Sequence, residues 1–158
     1  MSKNRYALFT VDTEALPKRA VSDHVKGHIW GEYANGTAGV REMCAIGDEY
    51  GAKHVFFVDM CGAYAERDKV REVMIWLDKA GHDVQLHVHP EYLPNSFWND
   101  TGFKVEPRYL NAYTDSVKEE FLLSYFRNEV TAATKKPVRA FRAGSFRWNA
   151  TTLRTLAK

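Results

Sequence analysis

Gly81-His82-Asp83-Val84-Gln85-Leu86-His87-Val88-His89-Pro90 is the stretch from which the fold is read, because it joins a strand pattern to two imidazoles at the strand's end. Side chains alternate across a strand, so Val84, Leu86 and Val88 share one face while Gln85, His87 and His89 share the other. An apolar face is what a strand shows to covering helices. Pro90 has no N–H to give to a ladder and stops the strand just past the second His. Two imidazoles directed the same way from a strand end can bind one metal ion; the same pair also suits a polar barrel interior.

A second stretch has the same parity. In Tyr6-Ala-Leu-Phe-Thr-Val-Asp-Thr-Glu14, the residues Leu8, Thr10, Asp12 and Glu14 alternate with Ala7, Phe9, Val11 and Thr13, so two carboxylates end a strand on one face. Outward from these two strands, helical spacing of Val40, Met43, Cys44 and Ile46 follows a candidate N-cap at Thr37 and ends at Gly51. Residues 52–60, rich in Val and Phe, read as a strand. Ala65 to Ala80 reads as a helix with Val70, Val73, Met74 and Leu77 on its apolar stripe, closed by Gly81. Ser116-x-x-Glu119 resembles a capping box opening a helix to about Thr134, Val138 to Arg142 is a short strand, and Asn149 is a candidate cap for a last helix. Residues 15–36 and 90–112 carry turn punctuation without a sustained period and read as long loops. Long loops in compact domains are often functional, which makes His24, His28 and Trp30 candidates for lining a substrate pocket.

The predicted order is therefore β-α-β-α-β-α-β-α: an α/β fold with parallel strands near residues 6–13, 54–59, 83–89 and 138–142, forming an open sheet or part of a barrel. Such sheets carry their chemistry at the carboxyl ends of the strands. Asp12, Glu14, His87, His89 and Arg142 all fall there. Asp59 and Cys61 also end a strand, but a strand-end Asp is as often a cap as a site residue.

The 158 residues, 45% hydrophobic and 27% charged, fit a single domain spanning 1–158. The net charge is only +2, and Lys and Arg are interspersed with Asp and Glu, so no nucleic-acid partner is expected. No membrane-length apolar window and no export signal is seen, which predicts a cytoplasmic protein without a membrane partner. Cys44 and Cys61 lack any motif spacing and read as free thiols. No P-loop is present, since Gly36-Thr-Ala-Gly39 has no following Lys.

Taken together, these stretches resemble the polysaccharide deacetylases, metal-dependent carbohydrate esterases of the chitooligosaccharide deacetylase type. Phe9-Thr-Val-Asp-Thr-Glu14 is similar to that family's first motif in a D-x-E form, and Gly51-Ala-Lys-His-Val-Phe-Phe-Val58 to the strand that follows. The Gly81–Pro90 stretch is similar to its histidine motif, and Phe141-Arg-Ala-Gly144 to its arginine motif. Two departures stand out. The family's paired His residues are usually four apart, whereas here they are two apart with Glu91 at the fourth place, and the usual adjacent Asp pair is replaced by Asp12-Thr13-Glu14.

The resemblance implies a parallel (β/α) barrel, here amounting to about four βα units. It implies a divalent cofactor, most simply Zn2+, held by Glu14, His87 and His89, and a hydrolase that removes an acyl group, most simply N-acetyl, from a carbohydrate substrate; the lack of an export signal then points to a step in surface polysaccharide biosynthesis. Asp12 would be the general base and Arg142 its partner; Asp12 as ligand with Glu14 behind it, and Arg142 as a structural ion-pair partner, are the alternatives. A barrel of this type usually takes on the order of 200 or more residues. The family's later motifs, including a His acting as general acid, are not found in these 158 residues. Two rival readings are an amidohydrolase-like enzyme, which shares H-x-H, and a non-catalytic saccharide-binding domain.

Overall fold

The computed structural model describes residues 6–16 and 23–158. Its centre is a four-stranded sheet of β1 (Phe9–Thr13), β4 (His54–Asp59), β5 (Asp83–Val88) and β6 (Phe141–Ala143), in the order β1-β4-β5-β6 and parallel throughout. It is a curled sheet forming one side of a parallel (β/α) barrel. Between β1 and β4 lie α1 (His24–His28), the short antiparallel pair β2 (Glu32–Tyr33) and β3 (Gly36–Thr37), and α2 (Val40–Glu49). The later crossovers carry α3 (Arg67–Lys79) and then α4 (Asn95–Thr101) with α5 (Ser116–Thr134), and α6 (Ala150–Leu156) follows β6. No helix among the described residues is long and apolar enough to cross a membrane.

The period-two reading of the strands accounts for the layers. Val84, Leu86 and Val88 of β5 are buried in one apolar cluster with Val70, Val73, Met74 and Leu77 of α3 and with Leu122, Phe126 and Val130 of α5. The opposite face carries Gln85 and His87, also buried. Gly51 and Gly81 stop α2 and α3 with φ of 66° and 83°, a region where a side chain would be strained.

Some expectations are corrected. Neither long loop is without secondary structure: in the first, residues 17–22 lie outside the described residues and the rest carries α1 and the β2–β3 pair, and the second contains α4 between 3-10 turns. Phe97 and Trp98 of α4 are fully buried, and Phe97 meets the rings of Tyr64, Phe121, Tyr125 and Phe126. The N-cap of α2 is Gly39, whose N–H is accepted by Glu42, while Thr37 belongs to β3. Asp115 rather than Ser116 caps α5, accepting from the N–H groups of Val117 and Lys118 at 2.9 and 3.3 Å. Glu119 turns inward instead and is hydrogen-bonded by Thr152 of α6. Asn149 caps α6 as expected, accepting from Thr151 and Thr152. The last strand is shorter than 138–142, because the N–H groups of Arg139 and Ala140 go to the side-chain oxygen of Gln85, at 2.8 Å each, in place of a ladder.

The aromatic cluster makes a stability prediction. Phe97→Ala should lower unfolding stability by about 3–5 kcal/mol, the usual cost of emptying a buried ring site. Urea unfolding should show this as a lower midpoint at unchanged slope.

Candidate metal centre

Parallel register brings the polar strand ends together. Asp59 pairs with His87 and His87 with Arg142 across β4, β5 and β6, while Thr13 pairs with Val58 and leaves Glu14 just beyond the end of β1. Glu14 Oε1 lies 2.8 Å from His87 Nε2 and 3.1 Å from His89 Nε2. One ligand atom from each of the three lies within 4.8 Å of the others. Both imidazoles are buried, and Glu14 is partly open to a cleft of about 230 Å³ lined also by Asp12, Leu16, Tyr92 and Ser145.

The far nitrogens are held as well. His87 Nδ1 donates to the carbonyl of Arg142 at 2.7 Å, and His89 Nδ1 donates to Glu91 Oε1 at 2.8 Å. Neither a carbonyl nor a carboxylate can donate, so both Nδ1 atoms carry a proton, and the Nε2 atoms, which face Glu14, are the ones that would give up theirs to ligate a cation. An N2O set with its outer nitrogens anchored and one open side suits a divalent cation. The residues present therefore fit such an ion.

Asp12 and Arg142 sit beside this cluster. Arg142 crosses the face of Phe57 at 4.1 Å, hydrogen-bonds Asp12, and donates to Thr10 at 3.0 Å. The structure does not bring His28 or Trp30 to the cleft. His28 stacks with His24 at 6.1 Å, and Trp30 packs edge-on to Trp76 and under Arg41. Trp76 is nine residues into α3, roughly 14 Å along a helix that leads away from the strand ends.

Among solved structures, the chain is similar to a candidate polysaccharide deacetylase from Mycobacterium smegmatis, with a TM-score of 0.58 over 95% of this chain and 46% of that one at 19% identity. It is similar too to a mutant of a CE4 family pseudoenzyme with restored enzymatic activity, with a TM-score of 0.53 over 74% of this chain and 35% of that one at 16% identity. The fold is that of the polysaccharide deacetylases. This chain spans less than half the length of either deacetylase-type structure. No protein-family model and no curated protein matches the sequence.

Three residues at this end of the deacetylase fold, all visible in the sequence, were given no role in the site there. Asp59 is fully buried; one oxygen accepts the backbone N–H of His89 at 2.9 Å and the other that of Gly62 at 3.1 Å. Its parity with Phe57 and its place opposite His87 are the signal that could have found it. Gly144 lies against the His89 ring, where a Cβ would come within 2.5 Å of Nδ1, so only glycine lets β6 turn over that imidazole. Glu91 is the third: the histidine spacing drew attention to it, but its hydrogen bond to His89 depends on how that ring is turned.

Without a bound ion the cluster is a charge network. Hydrogen bonds from His87 and then His89 hold the Glu14 carboxyl well below its ordinary 4.5. Burial opposes charge on both rings, but Glu14 and the Arg142 carbonyl raise His87 above 6.5, and Glu14 and Glu91 raise His89 to about 10. The depressed carboxylate contributes stability above pH 4.5 that is lost on acidification; the raised imidazoles contribute stability below pH 6.5 that is lost as pH climbs toward 10. The chelator-treated protein should accordingly be most stable between pH about 4.5 and 6.5. Glu14→Gln should flatten both limbs of that profile, as read by urea midpoints across pH.

Proposed function

We propose that this chain carries the metal-binding part of a hydrolase that removes an acyl group, most simply N-acetyl, from a sugar. The observation that carries the reading is the convergence of Glu14, His87 and His89 at the carboxyl ends of β1 and β5 in a deacetylase fold. Glu14 and the two Nε2 atoms would hold Zn2+. When bound, such an ion supplies Lewis acidity toward water and an acyl carbonyl.

The other roles belong to the chain's own side chains. Asp12 lines the same cleft as Glu14 and is the group proposed to take a proton from the attacking water. Arg142 hydrogen-bonds that carboxylate and restricts its orientation. The cleft, about 230 Å³, admits a compact acyl-bearing group. We place the reaction in the cytoplasm, in the making of a surface polysaccharide; the two buried cysteines, both free thiols, suit a reducing compartment.

A second reading has one observation in its favour, the pseudoenzyme among the similar structures. On that reading the chain binds a saccharide without turning it over.

Substitutions separate the roles. Asp12→Asn in the longest encoded form of the protein should keep one equivalent of zinc by metal analysis while losing roughly 10²–10⁴-fold in release of acetate from N-acetylated sugars, the usual weight of a general base. Glu14→Gln should lose both, since a neutral amide is a poor ligand. Zinc lost with Asp12→Asn and kept with Glu14→Gln would exchange the two assignments. Zinc and sugar binding in the native protein with no acetate released would favour the non-catalytic reading.

A further inference from the structure

His89 is held differently from His87. The outer nitrogen of His87 meets a neutral backbone carbonyl, whereas that of His89 meets a carboxylate. That carboxylate, Glu91, is only 11% exposed, and its Oε2 is buried with no hydrogen-bond partner among the described residues. A buried carboxylate with one oxygen unsatisfied is costly, and such a group calls for an explanation.

Local structure does not provide one. The turn Pro90–Tyr92 closes on its own backbone, with Tyr92 N–H donating to the His89 carbonyl at 3.0 Å and Leu93 N–H to that of Pro90 at 3.2 Å. No backbone group of this turn uses the Glu91 side chain. Asp59 is the contrasting case, since both its oxygens accept backbone N–H groups and fix the chain path. Among the described residues the one hydrogen bond of the Glu91 side chain is to the His89 ring, whose opposite nitrogen faces Glu14.

We propose that Glu91 is the positioning residue for His89: it fixes the ring with Nε2 toward Glu14 and, by its charge, strengthens that nitrogen as a donor to a divalent cation. This rests on the metal reading above. Carboxylates placed behind ligating imidazoles raise ligand basicity, and removing them typically weakens metal affinity 10–100-fold. Gly144 packs against the same Nδ1 edge of the ring, where a Cβ would come within 2.5 Å of that nitrogen.

The test measures zinc affinity of the folded chain by competition with a chromophoric chelator. Glu91→Gln keeps an oxygen able to accept from Nδ1 but loses the charge, and Glu91→Ala loses both. The expected result is a loss of about tenfold for the first and approaching a hundredfold for the second, with near-ultraviolet circular dichroism unchanged. The NMR signal of the His89 Nδ1 proton should lie far downfield in the native protein and move upfield in both variants. Native affinity in Glu91→Gln with an unmoved proton signal would overturn the proposal, as would failure of both variants to fold, which would make Glu91 structural. If the native chain takes up no zinc, the metal reading fails instead, and the His89 proton signal still decides whether Glu91 holds the ring.

Discussion

In-step pairing of four parallel strands is the constraint on which this protein's site depends. Bonds in a parallel ladder are evenly spaced, so residues level with one another on neighbouring strands also face the same way. That is why Asp59, His87 and Arg142 form one row and Glu14 joins it from β1. A slip of one residue in β5 would send His87 into the helix layer and bring Leu86 to the cleft. Apolar residues on the helix side oppose such a slip, and the packing of α3 and α5 on Val84, Leu86 and Val88 thereby fixes the chemistry on the opposite face.

Charge is unevenly distributed around that row. Glu14, Asp59 and Glu91 crowd two imidazoles at one end of the sheet, and each carboxylate faces a different part of the histidine strand: a ring edge, a backbone N–H, a ring back. Negative charge concentrated in a partly buried place disfavours the folded state unless protons or a cation answer it. Against the opposing effect of burial, Glu14 and the Arg142 carbonyl raise the pKa of His87, and Glu14 and Glu91 that of His89, so protonated rings answer part of this charge.

The sequence made the sheet and much of the cluster legible because both rest on period two, which is local. Asp12, Glu14, His87 and His89 could be assigned a face from their neighbours alone, and Gly51 and Gly81 marked helix ends without tertiary help. What escaped depended on distant contacts. The seven residues of α4 are too few to show a period, and Phe97 and Trp98 are ordered by partners on α5 and near Tyr64. Ser116 carried a capping signature, but the neighbouring Asp115 offers a stronger acceptor and frees Glu119 to face α6. Trp30 lay in a stretch without period, so nothing local revealed that it would pack low on α3 instead of near the strand ends. Glu91 was placed in view by the unusual spacing of the histidines, yet its contact depends on how the His89 ring is turned.

Arg142 reaches from the last strand of the sheet, over Phe57 of β4, to Asp12 on the first. These two strands are not neighbours, so the side chain acts as a tie rod across the concave face. The carboxylate assigned to proton transfer is one anchor of that rod. Asp12 is therefore also a structural link between the two margins of the sheet, whatever chemistry it performs.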